Sequence, residues 1–249
     1  THIVKSYDED LNQLYDDLNR MGNMVISQLE KAYGALESRN LELADEVIQG
    51  DKAIDQLEHE IDIFSVRIIA LRQPLARDLR VIIAALKISS HLERIADYAS
   101  NIAKRTKDLV KSDVHMPLTA IKSMITQVAS MIRAVLEAFQ ASDLPRAMMI
   151  WHQDREVDNA YNTYLRELLT YMMEYPKSIG SYIDLLFVGK HLERAGDHVT
   201  DIAEMVYYLV EGIPFEGDRT GMEGGKFDEI LDDFYRSPSV PNGWSRNGR

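Results

Sequence analysis

Apolar residues recur three or four positions apart along most of the chain. From Tyr7 to about Leu36 they fall at Leu11, Leu14, Leu18, Met21, Val25, Leu29, Ala32 and Leu36, the period of a helix with one buried face. A second helix is predicted from Leu41, capped by Asn40, to about Leu71, where Gln73-Pro74 stops it because proline disfavours helical geometry in the residue before it. The third, from about Ala76 to Lys111, carries Leu79, Ile83 and Leu86 on one stripe and Val81, Ile88, Ile95 and Ile102 on another, so it should pack against two neighbours. Ser112-Asp113 and Pro117 interrupt the pattern. A fourth helix then runs from Leu118 to Phe139, and a fifth starts at Asp143 with Pro145 behind it and closes at Pro176. The sixth spans about Ser181 to Val210 and ends at Gly212 and Pro214. Alternation at period two is not sustained anywhere, so the fold class is all-α with six long helices.

The third and sixth helices repeat one another. His91-Leu92-Glu93-Arg94-Ile95-Ala96-Asp97 returns 100 residues later as His191-Leu192-Glu193-Arg194-Ala195-Gly196-Asp197, and the match extends to Leu86 with Leu186 and Asn101 with Asp201. Upstream the offset is 103, pairing Asn40 with Asp143, Asp51 with Asp154, Asp55 with Asp158, and Met21, Val25, Leu29 and Leu36 with Met124, Val128, Ile132 and Phe139. The second half has lost three residues near its proline turn, where length changes are tolerated. Each half is three helices joined by short connectors, which makes two tandem three-helix bundles or one continuous elongated array. The expected division is 1–111, 112–215 and a tail, 216–249.

The repeated stretch places acids where core residues belong. Glu93 lies seven residues after Leu86 and Asp97 fourteen after Ile83, and Glu193 and Asp197 follow Leu186 and Ile183 in the same way, so the carboxylates continue apolar stripes. Carboxylates at i and i+4 repel, and partial burial sharpens the repulsion until a cation, an arginine or a proton offsets it. Asp51 with Asp55 and Asp154 with Asp158 have the same spacing on the second helix of each half. Together with Asn101 and Asp201 these ten residues form two candidate oxygen-donor metal sets, suited to Mg²⁺, Ca²⁺, Mn²⁺, Zn²⁺ or iron. The other reading is a set of helix-surface acids paired with Arg94, Arg194, Lys104 and Lys190. His91 and His191 point away from the acidic phase and are read as packing or surface residues, and His198, beside Asp197, is a weaker ligand candidate still.

Composition narrows the chemistry. Without cysteine there is no thiolate ligand or disulfide, which suits a reducing compartment. A net charge of −12 disfavours sequence-tolerant binding to nucleic acid and suits cations or protein partners. No apolar run reaches the ~20 residues of a membrane span, and the first residues lack a signal-peptide core, so a soluble cytoplasmic protein is expected. The chain has no phosphate-cradling glycine loop, nucleophile elbow or HExxH, and no histidine three residues after a glutamate as di-iron bundles use; an enzyme is not expected.

The doubled Glu-Arg-x-x-Asp, the Asp-x-x-x-Asp of each second helix and the two three-helix repeats together resemble the PhoU family over about residues 7–213. The resemblance implies a cytoplasmic, non-enzymatic regulator of phosphate homeostasis that contacts the ATPase of the phosphate ABC transporter and a sensor histidine kinase, and represses the phosphate-starvation response when phosphate is plentiful. It also implies metal binding on the Glu/Asp-x-x-x-Asp surface and a homodimer. The alternatives are a metal-dependent phosphatase, a metal-storage bundle, or a helical scaffold without metal. Asn101, opposite Asp201, departs from equal sites. The tail departs too: Phe227, Ile230, Leu231, Phe234 and Tyr235 make a short amphipathic stripe opposite Asp228, Glu229, Asp232 and Asp233, readable as a docking peptide or as disorder.

Overall fold

Two identical devices set the topology. Arg39 (φ 53°) and Ser142 (φ 52°) turn the chain left-handed after the first and fourth helices, and the next amides, of Asn40 and Asp143, reach back to the carbonyls of Ala35 (2.9 Å) and Ala138 (2.8 Å). That is a Schellman closure. The Asn40 and Asp143 side chains then accept from the amides of Leu43 and Arg146 and so cap the following helices. A connector this short forces its two helices to lie antiparallel and in contact.

The computed structural model describes residues 2–216; the amphipathic stripe from Phe227 to Tyr235 lies outside them. Six long helices result: α1 His2–Ser38, α2 Leu41–Arg72, α3 Arg77–Leu109, α4 Thr119–Ala141, α5 Leu144–Glu174 and α6 Ile179–Glu211. α6 begins before Ser181 because a single 3₁₀ turn, Pro176–Ser178, feeds directly into it. Gly212, at φ 79°, closes α6 as its position after the last apolar residue predicts.

Leu14, Leu18, Met21, Val25, Leu29 and Leu36 of α1 meet Ile54, Ile61 and Ile68 of α2 and Ile82, Ile88, Ile95 and Ile102 of α3 in one buried core. The second half repeats this with Met124, Val128, Ile132 and Phe139, then Val157, Tyr164 and Leu168, then Leu185, Leu192, Val199 and Val206. Leu79, Ile83 and Leu86 are only partly buried, so the two stripes of α3 are unequal.

The two bundles sit side by side, with α3 against α6 and α1 against α4. Arg80 donates to the Leu209 carbonyl (3.2 Å), His91 meets His198 (3.0 Å), Tyr98 stacks on His191, and Arg105 pairs with Asp184 (2.7 Å). As one series rises the other falls, so α3 and α6 run antiparallel. His91 corresponds to His191 and Tyr98 to His198 in the repeat, so exchanging the halves maps one contact onto the other. The seam is an internal pseudo-twofold. Buried small residues, Ala85, Ala96, Ala99 and Ala103 on α3 and Gly189, Ala195, Gly196 and Ala203 on α6, keep these central helices slim where they pack on several neighbours.

Candidate functional site

In the first repeat α2 and α3 gather six acids. Asp51 and Asp55 share one face of α2, and Glu58 and Asp62, each two turns further on, extend it. Glu93 and Asp97 face them from α3. Burial pushes Glu93 up to about 7, helped by the charges of Asp97, Glu58 and Asp55 and opposed by Arg94. Asp51 is raised by burial and by Asp55 and Asp97, against Lys104 and the Ser100 hydroxyl. Glu58 is raised by burial and by Asp62.

The cations nearby do not neutralise this surface. Arg94 is 60% exposed and stands 3.5 Å from Asp97 Oδ2 and 3.8 Å from Glu93 Oε2, too loosely held to contribute much. Lys104 Nζ donates to Asn101 Oδ1 (3.3 Å), which ties up a neutral oxygen. Asp51 Oδ1 is buried without a hydrogen-bond partner. An all-oxygen set with excess negative charge fits a hard or borderline cation.

The second repeat treats the same motif differently. Asp154 is wholly buried, and its Oδ1 lies against Gly196, where a Cβ would come within 2.2 Å of it. Gly196 replaces Ala96 of the first repeat because the carboxylate takes the methyl's place. Burial and the Glu193 charge push Asp158 up to about 6, with Lys190 opposing. Lys190 Nζ contacts Glu193 Oε1 at 2.6 Å and lies over the Tyr161 ring, 5.5 Å from its centroid, while Glu193 Oε2 is buried without a hydrogen-bond partner.

Asp201 leaves the acidic surface for the seam, its Oδ2 3.5 Å from both His91 Nδ1 and His198 Nδ1. Burial raises Tyr98, with Arg194 and Arg94 opposing and the Asp197 charge adding to the rise. The structure thus brings Asp51, Asp55, Glu93 and Asp97 together, sets Asp158 with Glu193 beside a built-in ammonium, buries Asp154, and draws Asp201 toward the histidines. His191, on the other side of the pseudo-twofold, is pushed down to about 4 by burial and by Arg105 and Arg194.

Sequence reading missed Glu58 and Asp62, although their two-turn spacing from Asp51 and Asp55 marks the same face. It also missed the meeting of His91 with His198, which depends on how the halves pack.

The PhoU domain family matches residues 18–106 and again 121–206. The chain is 44% identical over 223 residues to the phosphate-specific transport system accessory protein PhoU homolog of Caulobacter vibrioides, covering 89% of this chain and 97% of that protein. It is 36% identical over 231 residues to the accessory protein PhoU of Escherichia coli, covering 92% and 94%. Among solved structures, PhoU from Pseudomonas aeruginosa superposes with a TM-score of 0.78 at 38% identity, covering 83% of this chain and all of that one. The phosphate transport system regulatory protein PhoU of Streptococcus pneumoniae gives 0.79 at 29%, covering 85% and all of that chain.

Proposed function

The chain belongs to the PhoU family, and on that premise we propose that it is the accessory protein of a phosphate-specific transport system, acting as a regulatory adaptor without catalytic turnover. It contacts the ATPase of the phosphate ABC transporter and the sensor histidine kinase from the cytoplasmic side, and represses the phosphate-starvation response while phosphate is plentiful. A homodimer is its working form. The observation that carries this reading is the acidic motif doubled on the two halves of a body that PhoU proteins match along nearly its whole helical length. No helix among the described residues is long and apolar enough to cross a membrane, so it would reach the transporter by contact.

Asp51, Asp55, Glu93 and Asp97 would hold a divalent or trivalent cation, Mg²⁺, Mn²⁺, Ca²⁺, Zn²⁺ or iron, that offsets the burial and the repulsion raising Glu93. Asp154, Asp158, Glu193 and Asp197 would bind one only by displacing Lys190 from Glu193. The metal would tie α2 to α3 and fix the shape of the surface offered to a partner.

Removing the gene should derepress phosphate-starvation genes in phosphate-rich medium, and unchanged repression refutes the adaptor reading. Purified protein should retain the ATPase and the kinase from phosphate-replete cells. The phosphatase alternative rests on Glu93 and Asp158 being raised toward neutrality. It requires hydrolysis of a simple phosphate ester with Mn²⁺ or Fe²⁺, whereas the adaptor reading expects none.

A further inference from the structure

Where α3 crosses α6, three ligating atoms converge. His91 Nδ1 lies 3.0 Å from His198 Nδ1, and Asp201 Oδ2 lies 3.5 Å from each. The three ligand atoms of one small tetrahedral cation, with bonds of about 2.0–2.1 Å, stand about 3.4 Å apart, so this triangle has the dimensions of a coordination face. One side of it is supported from behind. Tyr98 Oη is 3.3 Å from His198 Nε2, the ring nitrogen that a metal on Nδ1 would leave to donate a hydrogen bond. The three side chains are each about one-quarter exposed, so a water can complete the tetrahedron from outside.

We propose that His91, His198 and Asp201 form a site for one first-row divalent cation, of the class of Zn²⁺, that clamps the two repeats together across the α3–α6 seam. Two imidazoles and one carboxylate are borderline donors, which suit Zn²⁺ better than Mg²⁺ or Ca²⁺. The site is separate from the all-oxygen surfaces, because His91 comes from the first repeat and His198 and Asp201 from the second. The pseudo-twofold supplies an internal control. On its other side Tyr98 stands in place of His198 and Asn101 in place of Asp201, leaving His191 as the one strong ligand of that triplet. One cation per chain is therefore expected at the seam. The competing arrangement is a simple hydrogen bond between the two Nδ1 atoms, one donating and the other accepting.

The full chain, stripped of metal by chelator and carrying Asp51→Asn, Asp97→Asn, Asp158→Asn and Glu193→Gln to silence the acidic surfaces, is titrated with Zn²⁺ while the histidine ring nitrogens are followed by NMR. One equivalent should move His91 and His198 together and leave His191 in place, and Co²⁺ should give the visible bands of a tetrahedral ion. His91→Ala and His198→Ala should each weaken Zn²⁺ binding by at least about 100-fold, and Tyr98→Phe by about 10–100-fold through loss of the supporting hydrogen bond. Asp201→Asn, nearly isosteric, serves if an alanine variant fails to fold. Unmoved His91 and His198 resonances, or unchanged Zn²⁺ affinity in folded His198→Ala or Asp201→Asn protein, would overturn the site.

Discussion

Where α3 carries Ser90 near Glu58, α6 carries Lys190 over Tyr161. Where α3 carries Ala96, α6 carries Gly196 with the Asp154 carboxylate in the methyl's place. The two repeats hold one acidic motif and manage its charge in opposite ways. The first spreads six acids over a half-open surface and leaves Glu93 raised. The second drops the equivalents of Glu58 and Asp62, which become Tyr161 and Leu165, buries Asp154 and supplies an ammonium of its own. The two halves share the fold, and a few substitutions at matched positions leave the first with its acids largely uncompensated and give the second an ammonium of its own beside Glu193.

The largest expected effect tests that contrast directly. Lys190→Met leaves Glu193 buried without its partner and should cost about 3–5 kcal/mol in chemical denaturation, while Ser90→Met on the exposed face of α3 should stay within about 0.5 kcal/mol. Equal losses would erase the distinction. Next comes the exchange at the helix crossings. Gly196→Ala should destabilise by about 1–3 kcal/mol because its methyl meets Asp154, and Ala96→Gly by about 1 kcal/mol for backbone reasons alone.

Asn40→Ala and Asp143→Ala probe what the halves still share. Each should lose about 1 kcal/mol of thermal stability, and a several-fold disparity would show that the hairpins are not equivalent.

A further test is a slope with pH in metal-free protein. Glu93, at about 7 when folded against an ordinary 4.5, keeps a proton that the unfolded chain releases, so its share of stability is fully present below pH 4.5 and is lost as pH rises to about 7. Asp158 does the same between 3.8 and about 6. Glu93→Gln should flatten melting temperature across the upper window and Asp158→Asn across the lower; a melting temperature that rises with pH between 5 and 7 in wild type but not in Glu93→Gln reverses the sign.

The helices were legible because their signals are local: the apolar period, the caps at Asn40 and Asp143, and the stops at Pro74, Pro176 and Gly212. The acidic faces of α2 and α3 were legible from phase. The fate of each acid was not, because Asp51 and Asp154 look alike in sequence and differ through the residue opposite, Ala96 or Gly196. His91 and His198 were not read as ligands since their meeting depends on the antiparallel register of α3 and α6, a property of neither helix alone. The choice between a continuous array and two apposed bundles lay at the same level.

That register also orders the folding reaction. Two-residue hairpins make contacts within each half local and quick to form, whereas His91 and His198 are 107 residues apart and meet only after both halves exist. Contacts across the seam therefore close much longer loops than those within a half, and a chain whose second repeat is still emerging from the ribosome would hold its first three helices with one bare flank along α3.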